Sequence, residues 1–248
     1  MRWRLVRFEY NNAAMNMALD EAVSKGIERS TSPPTIRFYG WRPSAVSIGR
    51  FQSLEDEVDL ACCKELGVDV VRRRTGGGGV FHDTEGEITY SLIAPEDLMP
   101  RGINVAYQEI CGYVVSALAA LGVEAQFAPI NDILVDGKKI SGSAQSRRNS
   151  VFLQQGTLLL DLDVKKMFSV LRISDAKMAG RNISSAEERV IGLRAHSDAS
   201  RERVMAELEK AFTSGKRYDC GSWSAVELQE ANRLVSHRYA TKEWTQER

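Results

Sequence analysis

Apolar and polar positions along this chain follow two periods, and the switches between them mark out its elements. Residues 3–9 (WRLVRFE) alternate roughly as a strand, and TIRFYGW (35–41) is a second, after the break at Pro33-Pro34. Between them Met15, Ala18, Leu19, Ala22 and Val23 share one helical face, with Asn11 or Asn12 available as cap. AVSIG (45–49) predicts a short buried strand, 54–66 a helix stopped at Gly67, and VDVVRR another strand. GEITYSLIAP (86–95) alternates and ends at Pro95, and a stripe from Ala106 to Leu121 predicts a long helix closed by Gly122. DILVDGKKISGSAQ places Asp136-Gly137 between two apolar runs, a strong hairpin signal. FLQQGTLLLDLD (152–163) is a further strand, VKKMFSVL a short helix, and 181–193 has no period and reads as a loop. Two helices close the pattern, one carrying Val204, Met205, Leu208 and Phe212, the other opening at Ser224 with Glu227 in capping-box spacing. Strands and helices mix without strict βαβ alternation, so the prediction is an α/β domain with a mixed sheet flanked by helices.

Composition narrows the function classes. The 248 residues allow one large domain, and 33 basic residues balance 33 acidic ones. That zero net charge gives no field for nucleic acid or an anionic membrane, so any anion site is local. Neither a signal-peptide core nor a membrane-length apolar run is present. Cys62, Cys63, Cys111 and Cys220 are spaced neither as a disulfide framework nor as paired metal knuckles. The expectation is a cytoplasmic protein with reduced thiols. Of the adjacent pair one cysteine is expected in the core and one outside, and Cys111 reads as structural rather than nucleophilic.

The strongest local signal is RRRTGGGGVFHD, Arg72 to Asp83. Consecutive glycines let a backbone turn sharply, approach a ligand and aim its amides at an anion. The arginines add planar forks suited to carboxylate or phosphate. The run is neither a Walker A loop nor a dinucleotide turn, because a strand-like Val-Phe follows where a helix should open. With three histidines and no HxxxH spacing, His82 is read as shaping the loop rather than binding zinc. The second signal is GKKISGSAQ (137–145). Ser141, Gly142, Ser143 and Ala144 leave room for close packing, and in an extended chain Lys138 and Lys139 point to opposite sides. One of the two lysines can then enter a cavity as counter-charge to a carboxylate or phosphate.

Taken in order, RRRTGGGGVFHD, NDILVDGKKISGSAQ and QQGTLLLDLD strongly resemble the lipoate–protein ligase family. SIGRFQS (47–53) and the helix bearing Asn16 to Glu21 fit the same family. The resemblance covers most of residues 1–195 and implies the catalytic fold shared with biotin–protein ligases and related to class II aminoacyl-tRNA synthetases. It implies activation of lipoate by ATP and Mg²⁺ to lipoyl-adenylate, then transfer to a lysine of a lipoyl carrier domain or the glycine-cleavage H protein. Lys139 matches the family's essential lysine. Arg72, Arg73, Gly77, Gly78, Gly79, Val80, Phe81, His82, Asn131 and Asp132 would join it around ATP and the adenylate, with Asp132 a candidate Mg²⁺ contact. Gly76, Gly77, His82, Lys139, Ser141, Gly142, Ala144 and Gly156 would hold lipoate. The 181–193 segment corresponds to the family's adenylate-binding loop.

Two departures qualify the resemblance. Gln155 stands where many relatives have a histidine before the GTLL strand. After the predicted 224–239 helix only a short charged tail remains, where single-chain ligases continue into an accessory domain. The chain is therefore expected to be one catalytic domain that needs a separate accessory polypeptide for adenylation. Two alternatives stand beside the ligase: an ATP-independent octanoyl or lipoyl transferase on the same scaffold, and a non-catalytic lipoate or lipoyl-adenylate binding protein. A transferase of the compared kind would hold its acyl group on a cysteine. A biotin ligase fits less well, because its arginine-glycine loop reads differently.

Overall fold

The computed structural model describes residues 1–161, 163–172 and 189–247. Its strands are β1 (Trp3–Asn11), β2 (Thr35–Trp41), β3 (Ala45–Ile48), β4 (Asp69–Arg72), β5 (Val80–His82) and β6 (Glu87–Pro95) in the first half. β7 (Gln126–Ala128), β8 (Asp132–Val135), β9 (Lys138–Arg148), β10 (Val151–Leu159) and β11 (Tyr218–Cys220) complete the set. The described α-helices are α1 (Ala13–Glu28), α2 (Leu54–Glu57), α3 (Leu60–Glu65), α4 (Ile103–Ala120), α5 (Val164–Val170), α6 (Arg201–Thr213), α7 (Ala225–Leu234) and α8 (Lys242–Gln246). None of them is long and apolar enough to cross a membrane.

The main sheet runs β11-β1-β2-β6-β10-β9-β8-β7. It is mixed: β1 lies parallel to both β11 and β2, and the remaining pairings are antiparallel. β2 is buried along its whole length because both its faces are covered. Ile36 and Phe38 enter the core under α4 and α6, while Tyr39 and Trp41 pack beneath α1 and α7. A second sheet, β4-β3-β5, is backed by Leu54, Cys63 and Val170 from α2, α3 and α5.

Local chemistry explains the boundaries. Asn12 accepts from Met15 N to open α1, and Ser224 and Glu227 close both bonds of the capping box on α7. Asp136 and Gly137 both take positive φ, 50° and 73°, as a two-residue hairpin between β8 and β9 requires. The helix expected over 54–66 is in fact two. Val58 is extended and bridges Leu171, and Asp59 then starts α3 by accepting from Cys62 N. Burying one valine against α5 outweighs helical continuity there.

Candidate functional site

The glycine loop joins β4 to β5, and β3 between them carries Ser47 and the turn at Gly49. Of the four glycines only Gly77 has positive φ, 92°. Gly49 matters through closeness instead: a Cβ there would meet Gly77 O at 2.1 Å. These two backbones touch, and the loop leans over the end of the main sheet.

The three arginines divide their work. Arg72 is fully buried and donates to five carbonyls, those of Gly49, Arg50, Gln52, Trp244 and Thr245, at 2.6 to 3.2 Å. Trp244 Nε1 donates back to Arg72 O. Arg72 thus clasps the C-terminal turn and is absent from the cavity lining. Arg73 lines the cavity, but its guanidinium is spent on Ser47 O, Gly76 O and Gly78 O at 2.7 to 3.0 Å. Burial pushes its pKa down to about 10. Arg74 turns away to Glu21 on α1. The charge expected to meet phosphates is committed within the protein.

Beneath the loop lies a cavity of about 160 Å³. Met17, Tyr39, Trp41 and Val80 give it apolar walls, and Gly142, Ser143, Gly156 and Thr157 floor it with small residues. His82 stacks on Trp41, ring centres 4.0 Å apart, and is gripped at both nitrogens. Nδ1 lies 2.7 Å from Glu87 Oε1, and Nε2 lies 2.8 Å from Ser47 Oγ. Glu87 is buried, so His82 is aligned by a carboxylate as well as by the ring stack. Gln155 is equally constrained: it donates to Asp20 Oδ2 and accepts from Thr75, both within 2.8 Å. Asp20 in turn pairs with the fully buried Arg37. A chain of buried polar groups therefore links the core ion pair to the cavity wall.

Lys139 reaches the cavity through a fault in the strand. Ile133 faces Ser141, but the next residue, Leu134, faces Lys139, so Ile140 is an extra residue in β9. This bulge puts Lys139 on the same side as Gly142 and opposite Asp132. Lys139 Nζ stands 2.7 Å from Asp132 Oδ1. Its backbone is held from the other side as well, because Lys139 N donates to Arg189 O and Ile191 N donates to Lys139 O. Asn131 donates to Ser143 O, and Ser143 N returns a bond to Asn131 O, which fixes the approach to β8.

Of the residues expected in the site, Arg73, Gly77, Gly78, Gly79, Val80, His82, Asn131, Lys139, Gly142 and Gly156 line this cavity. Arg72, Gly76, Phe81, Asp132, Ser141 and Ala144 do not. Phe81 packs under β3 with Val46 and Ile48, since alternation turns it away from His82. Ser141 is buried on the far side of the bulge. Asp132 touches the site through Lys139, and no group of three acidic, histidine or cysteine side chains suited to a metal occurs among the described residues. Of the expected adenylate loop, 181–188 lies outside the described residues, and 189–191 runs beside Lys139. Sequence reasoning missed Met17, Tyr39, Trp41, Ser47 and Thr89 as walls. Met17 on its helix and the other four on their strands read equally well as core.

Comparison with known proteins places this geometry. The lipoyl protein ligase A/B catalytic domain model matches residues 12–213. A protein of Kyrpidia tusciae named octanoyltransferase LipM is 37% identical, over 98% of this chain and 97% of its own. Its namesake in Symbiobacterium thermophilum is 35% identical over the same shares. Among solved structures, a bi-partite lipoate protein ligase from Thermoplasma acidophilum superposes with a TM-score of 0.86 at 31% identity, over 99% of this chain and 96% of its own. A lipoate-protein ligase A bound with ATP gives 0.84 at 27% identity, over 99% of each chain.

These findings correct the main functional expectation. The relatives matched along almost their whole length are named for octanoyl transfer, which overturns the reading as an ATP-dependent, AMP-forming ligase and favours the transferase alternative. The fold, the cavity and the matched segments converge on one assignment: this chain belongs to the lipoyl protein ligase A/B catalytic domain family.

Proposed function

We propose that this protein is an ATP-independent acyltransferase. It would take an octanoyl-type chain from a carrier thioester and pass it to a lysine of a lipoyl carrier domain or the glycine-cleavage H protein. The observation that carries this reading is Lys139 beside an apolar-walled cavity whose lining arginine, Arg73, is already hydrogen-bonded within the protein. Its apolar walls and small-residue floor suit a slender acyl chain.

In this reading Met17, Tyr39, Trp41 and Gly156 surround the acyl chain, and the carbonyl lies by Lys139. The ammonium would stabilise the oxyanion that forms as the thioester is attacked. Gly77, Gly78 and Gly79 line the same cavity. The accessory polypeptide expected for adenylation belongs to a step this reaction does not include.

The test is transfer from an octanoyl-carrier thioester to a purified lipoyl domain, read by the mass of the acceptor. Modification without ATP is expected. Modification only with free octanoate or lipoate plus ATP, and none from the thioester, would sink the reading.

A further inference from the structure

One group of buried polar side chains at the cavity wall has no part in the transfer described above. β3 is the central strand of the small sheet, and β5 runs antiparallel beside it with Ala45 opposite His82 and Ser47 opposite Val80. Residues 45, 47, 80 and 82 therefore share one face, on which Ser47 and His82 are diagonal neighbours. Ala45 is small enough to let the His82 ring lean toward Ser47. The Trp41 indole, stacked at 15° to the ring, fixes its plane.

The order of donors along this group follows from its far end. Trp41 Nε1 donates to Thr89 Oγ1 at 2.7 Å, and the Thr89 hydroxyl donates onward to Glu87 Oε1 at 2.5 Å. That carboxyl oxygen also accepts from His82 Nδ1 at 2.7 Å. With the proton on Nδ1, a neutral ring has its lone pair at Nε2, and the Ser47 hydroxyl donates to it at 2.8 Å. Arg73 Nη1 donates to Ser47 Oγ from the other side at 3.1 Å and so favours negative charge on that oxygen. Glu87 is shut away from the cavity, whereas Ser47 and His82 both line it. A nucleophile and its base thus share a space walled by Met17, Tyr39 and Trp41, with the orienting acid behind them.

We propose that Ser47, His82 and Glu87 form a serine-hydrolase triad, and that this cavity hydrolyses esters and thioesters of apolar carboxylic acids as an activity separate from transfer. Ser47 Oγ attacks the carbonyl carbon and an O–C bond forms, while its proton moves to His82 Nε2. Glu87 holds the imidazolium through Nδ1. Arg73 Nη1, beside Oγ, supplies positive charge as the carbonyl oxygen gains electrons. The proton on Nε2 then passes to the alcohol or thiol as its bond to carbon breaks, which leaves the acyl group on Ser47. Water attacks that ester and gives a proton to Nε2, and Ser47 departs and takes the proton back. The products are a free carboxylic acid and the alcohol or thiol.

The experiment incubates the full chain with p-nitrophenyl butyrate, without carrier or ATP. A parallel sample receives a fluorophosphonate, which bonds to activated serines, and the adduct is located by peptide mass. Turnover and a single adduct on Ser47 are expected. Ser47→Ala, with its unfolding temperature checked, should lose turnover by at least about 100-fold and take up no phosphonate. Glu87→Gln should lower kcat by a similar factor with the ester KM held, a split that a merely loosened wall would not produce. The inference is overturned by the absence of phosphonate on Ser47, by turnover that survives in Ser47→Ala, or by a Glu87→Gln variant with unchanged kcat. None of these results bears on the transferase reading, which the acceptor-mass assay tests by itself.

Discussion

Lys139 meets Asp132 across the β8–β9 ladder because Gly142, which pairs with Asp132, has no side chain in between. A Cβ at Gly142 would lie 2.7 Å from both Lys139 Nζ and Cε, and 3.5 Å from Asp132 Oδ1. The bulge at Ile140 and the missing side chain at Gly142 act together to aim one ammonium.

Gly142→Ala should therefore displace Lys139 without disturbing the fold. The obstructed atoms are the far end of a flexible side chain, so the stability change should stay under about 1 kcal/mol. Transfer should fall at least tenfold. Urea unfolding and the acceptor-mass assay measure the two separately, and an active variant would mean that Lys139 tolerates another position.

Arg72→Lys should damage stability rather than acyl binding. A lysine cannot serve five carbonyls on two sides, and each buried acceptor left unpaired costs about 1–3 kcal/mol. The urea midpoint should drop by the equivalent of about 2–4 kcal/mol. A KM effect for the donor with unchanged stability would put Arg72 back in the site.

Gly156→Ala should both strain the floor and shorten the cavity. The added carbon would stand 2.3 Å from the Tyr90 ring and hydroxyl, and Tyr90 is fully buried between β10 and Phe212. Overpacking of this kind costs about 1–3 kcal/mol. Donors of four to six carbons should then gain on eight-carbon donors, as competition assays would record.

Acid should weaken the link between the chain's two ends. Burial raises the pKa of Glu227, but hydrogen bonds from Arg4, Ser32 and Ser224 outweigh it and hold the carboxyl down at about 2. The folded pKa lies below the ordinary 4.5, so the stabilisation is complete above pH 4.5 and fades as pH falls toward 2. Glu227→Gln should flatten the stability profile in that window, as urea midpoints between pH 2 and 6 would show. An unaltered slope would assign the acid sensitivity to other carboxylates.

Much of this arrangement could be read from the chain, for local reasons. Asp136-Gly137 announces its hairpin because the turn demands two residues tolerant of positive φ. The Ser224 box and the α4 stripe are equally local. Lys139 was found through its motif, yet its aim depends on the Ile140 bulge, which alternation alone does not reveal. Arg72 misled because its partners Trp244 and Thr245 lie far along the chain, and a loop arginine looks the same whether it faces an anion or a cage of carbonyls. The edge strands β7 and β11 are three residues each, too short for any period. The cysteines showed their spacing but not that all four miss the cavity.

The place of β1 between β2 and β11 has a consequence for biosynthesis. Trp3 pairs beside Tyr218, and Glu21 on α1 waits for Arg238 and Tyr239. About 215 residues must be translated before that edge of the sheet can close, roughly 10–40 s at ordinary elongation rates. Throughout that interval β1 offers an open strand edge to any neighbour on the same polysome. Chaperone demand during synthesis should therefore track the first strand, and a circular permutant that brings β11 next to β1 should depend on chaperones less.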